Sequence, residues 1–392
     1  MGGATAVALE SAYLMRARGL PVTMLAGDGG NNPELAQAGV EIVGLGGTRL
    51  RAASRIQAFV GGLYNRPAHD MIADWIAQND TPGTVYHLHG WSQILSPSAF
   101  HALRRVRDRL VVSAHDYFLA CPNGSFSYLR TGQVCPHDPL SFSCITAACD
   151  RRNHAEKLWR VVRQTIQRHY QQPEGSPPVL AVHAAMAPFL QRGGIPRDAI
   201  VTLPNPVRAW CKDKVAAQSN RDLLFVGRVE ATKGPDLALA AARAAGMRLR
   251  VIGDGAMRAR LEKQYPEMIF TGSLSHAEIA AHAVHARLLL MPSRYPEPYG
   301  LVAVEAMWSG LPVLLPPTAC LAPDIVAAGA GVEVDPVDTA AFAAVLTQLG
   351  RDNARVAAMS DAAFDRTASL GNSPQSWSES LAAIYEGRIA PC

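Results

Sequence analysis

Short apolar runs of four or five residues, most closed by glycine or proline, alternate along the chain with Ala-rich stretches whose apolar positions recur at helical spacing. Runs of the first kind suit strands buried on both faces, and strands that alternate with helices build parallel sheets from βαβ units. The second half shows this most clearly. After Asp222 the order is LLFVG, a helix from about Pro235, LRVIG, a helix over 256–264, MIFTG, a helix over 276–285, and RLLLM. Then come a helix from Gly300, the strand PVLLP, a helix over Ala322–Ala328 and a last helix after Asp338. The first half reads as a helix over 4–18 with strands at PVTML, VEIVG, TVYHL, RLVVSAH, PVLAV and AIVTL. A doubly wound domain normally opens with a strand, whereas this pattern starts at Gly2-Gly3 and passes straight into a helix. The central first strand of the N-terminal domain is therefore expected to be missing, with the true start upstream of Met1.

A chain of 392 residues is two to three times a typical domain, so two domains are expected. The pattern breaks around LPNPV and DKVAAQSN, which sets the boundaries at 1–205 and 206–372. The closing segment 373–392 forms a helix expected to cross back onto the first domain. Between RLVVSAH and the helix HAEKLWRVVRQTIQRHY lies an insert, 121–149, that is too long for a plain connection.

Composition narrows the class. Forty-eight per cent hydrophobic and 18% charged residues describe a globular protein, since disorder demands few apolar residues and high net charge. No run of about 18 apolar residues occurs, so no membrane-spanning helix is expected. The N-terminus lacks a basic leader and carries Glu10 in its apolar stretch, which points to the cytoplasm. Residues 1–210 hold 20 Lys and Arg against 14 Asp and Glu, a net +6, while the remainder is −2. That asymmetry is too small for a nucleic-acid partner and suits an anionic ligand, an anionic membrane surface or ordinary surface charge alike.

The candidate chemistry lies at strand ends. Glu297 and Glu305 bracket a helix start that follows RLLLMPS, and the backbone N–H groups of Gly300 and Leu301 with the helix dipole suit an anion. Glu305, inside an apolar helix, needs a hydrogen-bonding partner if buried, and a ribose diol would serve. On spacing alone both glutamates could equally be surface residues. Val226-Gly227-Arg228, followed by Lys233-Gly234, ends the first strand of the same domain. Ligands of open α/β sheets bind at strand carboxyl ends, so the two loops can serve one site. Arg228 and Lys233 would then neutralise a diphosphate, as a planar fork and a point charge; a solvated pair on a turn is the alternative.

These residues resemble the family 4 glycosyltransferases, retaining enzymes of the GT-B fold with two Rossmann-like doubly wound domains facing a cleft. The resemblance rests on VGR…KG, the GDG turn at Gly253-Asp254-Gly255, Thr271-Gly272, the Glu-x7-Glu signature at Glu297 and Glu305, and LPNPV. It implies a hexosyltransferase-type enzyme that moves a sugar from a nucleotide diphosphate sugar of UDP or GDP type to a sugar or lipid-linked acceptor, in surface polysaccharide synthesis. Arg228 and Lys233 would hold the diphosphate, Gly300 and Leu301 add N–H contacts, Glu305 hold the ribose and Glu297 bond hydroxyls of the transferred sugar. His115, after strand RLVVSA, would face that sugar from the acceptor-binding first domain, where a core histidine is the alternative. Gly2-Gly3 would match a glycine-rich loop that approaches donor phosphate and acceptor. No Asp-x-Asp triplet occurs, so no catalytic metal is expected. GDGAMR has too few glycines for a nicotinamide site. A catalytically silent GT-B protein that binds sugar nucleotide or a partner enzyme is the non-enzymatic alternative.

Two further features stand outside this scheme. Cys121, Cys135, Cys144 and Cys149 leave open a structural zinc site, an iron–sulfur cluster or buried thiols. In HAEKLWRVVRQTIQRHY, Leu158, Val161, Val162, Thr165 and Ile166 fall on one side, with Lys157, Arg160, Arg163 and Arg168 largely elsewhere. Such a helix could rest peripherally on the inner membrane face, or be a domain helix with a solvated basic face.

Overall fold

The computed structural model describes residues 3–48, 50, 54–150, 153–172 and 175–389. It divides into two compact units, Met1–Phe126 with Cys135–Pro204 and Pro374–Cys392, and Ser127–Val134 with Asn205–Ser373. The turn Ser127–Val134 of the Cys-rich insert thus groups with the second unit.

Among the described residues the first unit holds six strands, β1 (Thr23–Ala26), β2 (Glu41–Gly44), β3 (Tyr86–Leu88), β4 (Leu110–Ala114), β5 (Val179–Ala181) and β6 (Ile200–Thr202). All pairs are parallel, in two separate sheets, β1-β2 and β3-β4-β5-β6. Among the described residues no strand joins β1 to β3. The helix Pro374–Glu386 packs on the helix Gly3–Ala17, and burial of Trp377 and Leu381 anchors it there.

The helix His154–Gln171 reverses the usual amphipathic logic. Its buried side is polar, with Lys157, Arg163, Gln164, Gln167 and Gln171, whereas Leu158 and Val162 are exposed. Most of the buried heads find partners: Arg163 donates Nε–H to Gly62 O at 2.8 Å and also bonds Ser92 O, and Gln164 and Gln167 donate to Leu119 O, while Gln167 Oε1 is left without a partner among the described residues. Hydrogen bonding thus offsets the cost of burying them. Of the two orientations open in the sequence, a solvated basic face is corrected for Lys157 and Arg163.

The second unit is one parallel sheet of β7 (Asp222–Val226), β8 (Leu249–Ile252), β9 (Ile269–Gly272), β10 (Ala286–Leu290), β11 (Val313–Leu315) and β12 (Gly331–Glu333). The strand order is β12-β11-β10-β7-β8-β9. The chain builds outward from β7 through β8 and β9, then returns to the other side of β7 with β10, so the direction of winding reverses between β7 and β10. In open α/β sheets ligands bind outside the strand carboxyl ends at such a switch point. Leu223, Leu224, Leu249, Val251, Leu288 and Leu289 are fully buried and supply the apolar layer on which the helices rest.

Candidate active site

The switch point brings together two loops 64 residues apart in sequence. Lys233 ends the turn Ala231–Lys233 after β7, and Glu297 lies in the loop after β10. Lys233 Nζ donates to both carboxylate oxygens of Glu297, at 2.8 and 2.7 Å, and to Tyr295 Oη at 3.2 Å. Tyr295 Oη donates to Glu297 Oε1 at 2.9 Å and Ser293 Oγ to Oε2 at 2.8 Å. Glu297 is only 6% exposed. Burial alone would raise its pKa, but the Lys233 charge and the three donors outweigh it, and the net shift is downward. Burial would likewise lower Lys233, yet Glu297 holds it above the ordinary lysine value. The pair is ionised, and Tyr295 stays a neutral donor because burial and the neighbouring carboxylate raise its pKa.

A second ion pair fastens these loops. Arg294 makes a bidentate bond to Asp236 at 2.8 and 2.7 Å, donates to Ala231 O, and accepts register from the backbone bond Arg294 N–H to Thr232 O. Gly234, between Lys233 and the helix Pro235–Ala244, has φ +67°, and a Cβ there would meet Pro292 O at 2.0 Å. Tyr299 Oη donates to Leu370 O at 2.7 Å and anchors the far end of the Glu297 loop. Tyr295, Ser293 and the Arg294–Asp236 pair carry no motif; the first two bond Glu297 within its own loop, and the adjacency of β7 and β10 brings Arg294 to Asp236.

Gly300, at φ +81°, precedes the helix Leu301–Met307, which carries Glu305 on its second turn. Burial pushes the Glu305 carboxyl up to about 7, partly offset by Trp210. Arg228 is half exposed and pairs with Glu230 at 2.9 Å, so its guanidinium is not part of the Lys233–Glu297 cluster.

In the first unit His115 follows β4. His115 Nε2 shares a proton with His89 Nδ1 at 3.0 Å, and the rings stack at 5.3 Å. His87 on β3 bonds Tyr385 Oη at 2.6 Å and Ser113 Oγ at 2.8 Å. Burial lowers all three histidines, His87 to about 3 and His115 to about 4, so they are neutral at ordinary pH. Burial also raises Asp116 to about 6. A neutral imidazole both donates and accepts, which suits it to orient a hydroxyl.

Two expectations change. The glycine-rich loop assigned to Gly3 is helical instead: Gly3 is the exposed first residue of Gly3–Ala17, and Gly2 lies outside the described residues. Cys121, Cys135, Cys144 and Cys149 are all buried and unbridged, but among the described residues no group of three or more Cys, His, Asp or Glu is placed to hold a metal. Lys157 occupies their midst instead, its Nζ 3.1 Å from Cys149 Sγ and 3.5 Å from Cys144 Sγ. The ammonium between the sulfurs favours the buried-thiol alternative over structural zinc.

Comparison with known proteins follows the same division. The family Glycosyl transferases group 1 matches residues 208–366. The glycogen synthase of Mycobacterium tuberculosis (strain CDC 1551 / Oshkosh) is 32% identical over 159 residues, 38% of each chain. D-inositol 3-phosphate glycosyltransferase 1 of Catenulispora acidiphila is 32% identical over 190 residues, 43% of this chain and 44% of the relative. The matches thus span about two fifths of these relatives' length. Among solved structures, sucrose-phosphate synthase from Thermosynechococcus elongatus superposes with TM-score 0.71 at 17% identity, over 99% of this chain and 94% of that one. Anabaena HepE in complex with UDP and glucose gives 0.67 at 16% identity, over 98% and 96%. The likeness is one of fold.

Proposed function

We propose that the chain is a retaining glycosyltransferase: residues 208–366 match the family Glycosyl transferases group 1, and the fold is the GT-B type of two Rossmann-like domains. Its donor is a nucleotide diphosphate sugar of UDP or GDP type, and its acceptor a sugar or lipid-linked sugar in surface polysaccharide synthesis. The observation that carries this is the ionised, buried Lys233–Glu297 pair at the switch point between β7 and β10.

In this reading Glu305 accepts the ribose hydroxyls, and Arg228 swings from Glu230 to the diphosphate. Lys233 neutralises charge that grows on the diphosphate as the glycosidic bond breaks, in a preorganised site where such a charge counts for more than in water. Gly300 and Leu301 add backbone N–H donors. Glu297, already ionised, accepts from hydroxyls of the donor sugar. The departing phosphate takes the acceptor's proton on the face where the new bond forms, so the anomeric configuration is kept. His115, neutral and set by His89, orients a sugar hydroxyl.

The test is turnover of UDP- and GDP-sugars with glycolipid acceptors, with the product's anomeric configuration read by NMR. Retention is expected, and inversion would overturn the mechanism. Glu305 adds a pH signature. Its folded pKa is about 7, and only the ionised carboxylate accepts from both ribose hydroxyls. Hence kcat/KM should fall about tenfold per pH unit as pH drops below about 7, and Glu305→Gln should remove that limb while lowering the plateau. A pH-independent kcat/KM between pH 8 and 5 would contradict the ribose role.

A further inference from the structure

We propose that His89 and His115 form one hydroxyl-binding dyad in the first unit, which takes two neighbouring hydroxyls of an uncharged sugar by donating to one and accepting from the other. The inference rests on the sugar-facing role given above to His115 and adds His89 as a second residue that touches the sugar. β3 and β4 are neighbouring parallel strands, with Leu88 opposite Val112, and each histidine is the first residue beyond the carboxyl end of its strand. Strand carboxyl ends are where open α/β sheets bind ligands. There is room at this one, because a Cβ added at Gly90, beside His89, would meet nothing within 4 Å outside its chain neighbours.

The histidines spend their nitrogens differently. His87 on β3 uses both on the protein, Nδ1 with Tyr385 Oη at 2.6 Å and Nε2 with Ser113 Oγ at 2.8 Å, and its ring lies 3.9 Å from that of His89. It is a positioning residue. His89 and His115 use one nitrogen each, on one another, Nδ1 of His89 with Nε2 of His115 at 3.0 Å. Among the described residues neither His89 Nε2 nor His115 Nδ1 has a hydrogen-bond partner, and neither is among the polar atoms sealed from solvent without one. Both outer nitrogens are therefore open to a ligand.

Neutrality fixes what they present. Burial keeps both rings uncharged, so each carries one proton, and one of the two protons lies in the bond between the rings. If His115 Nε2 donates, His89 Nδ1 is bare, His89 carries its own proton on Nε2, and His115 Nδ1 is bare. If His89 Nδ1 donates instead, the outer roles exchange. Either way the outer pair is one N–H and one bare nitrogen, which matches adjacent sugar hydroxyls, each able to donate and accept. A phosphate or carboxylate fits poorly, because the bare nitrogen would face its lone pairs. The arrangement does not suit a metal either: the inner nitrogens face each other, both nitrogens of His87 are engaged, and among the described residues no group of three ligands is placed for one.

Histidine nitrogen NMR on the full chain at neutral pH should show both rings uncharged and in the same tautomer, since either position of the shared proton puts both protons on Nε2 or both on Nδ1. Methyl glucoside should shift the two outer nitrogens, and inorganic phosphate should not. In sugar transfer, His89→Asn keeps an amide near the Nδ1 position to hold His115 but lacks the outer nitrogen, and should lose about tenfold in kcat/KM. His89→Gln, with its amide near the Nε2 position only, should lose at least as much. Parental kcat/KM in a His89→Asn variant that melts like the parent would reduce His89 to a prop and overturn the proposal. So would unlike tautomers, a charged ring, a response to phosphate or none to methyl glucoside. A parent chain that turns over no UDP- or GDP-sugar, yet shows like tautomers and the methyl glucoside response, would remove the transferase reading and leave the dyad standing.

Discussion

Lys233→Ala should lower sugar transfer by about 10²–10³-fold, the scale expected when one preorganised charge-stabilising group is removed. It should also destabilise the second unit. Lys233 is the only cation bonded to Glu297 among the described contacts, and its removal leaves a carboxylate 6% exposed with only Ser293 and Tyr295 as donors. Breaking a buried pair by deleting one partner typically costs about 3–5 kcal/mol. The two effects separate in a double variant. Lys233→Ala/Glu297→Gln restores much of the stability, because no charge is left unpaired, yet stays inactive, because both side chains serve the donor. Chemical denaturation and initial rates on the same preparations check both. Full activity in Lys233→Ala would remove Lys233 from the donor site.

Gly253→Ala is the second large effect expected. Gly253 has φ +136°, its N–H donates to Gly272 O at 2.8 Å, and a Cβ would lie 1.9 Å from Gly227 O. Gly227 N–H in turn donates to Ile252 O at 2.9 Å. The loops after β7, β8 and β9 are thus laid backbone on backbone, and a methyl group cannot enter without separating them. Overpacking and an unfavourable φ each cost about 1–3 kcal/mol, which lowers the midpoint of a unit this size by roughly 5–20 °C. Displacing Arg228 and Lys233 with the β7 loop should abolish nucleotide binding as well. Gly246→Ala is the control: φ is +66° but nothing lies within 4 Å, so only the conformational strain of about 1 kcal/mol applies. Equal melting temperatures for the two variants would contradict the close-approach argument.

Most strands were legible because each is a dense apolar run closed by a glycine or proline, a signal that survives without tertiary context. The exception is β12, whose three residues Gly-Val-Glu are part exposed and too short to stand out. The stretch after Asp338 holds two helices, Thr339–Arg351 and Asn353–Arg366, each capped by its own aspartate, Asp338 and Asp352. The periodicity of His154–Gln171 shows two faces but not which is buried; that is decided by acceptors such as Gly62 O and Leu119 O, distant in sequence. At the site, Lys233 and Glu297 are visible as motif residues, and β7–β10 adjacency places them 2.7 Å apart. Ser293 and Tyr295 bond Glu297 from within its own loop but form no motif, and the Arg294–Asp236 pair arises through that adjacency alone, so no spacing along the chain could find it. Gly3 failed as a loop because a Gly-Gly pair signals backbone freedom, while the residues that follow favour helix strongly enough to include it.

The most direct test of a nucleotide-sugar site in the second unit is a thermal-shift panel of UDP, GDP, ADP and NAD on the full chain. A ligand present at a hundredfold excess over its dissociation constant stabilises the native state by about 2.7 kcal/mol, a shift of several degrees. UDP or GDP should raise the midpoint, ADP and NAD should not, and the shift should vanish in Arg228→Ala and Glu305→Ala. Cooperative melting with no response to any nucleoside diphosphate would contradict the assignment.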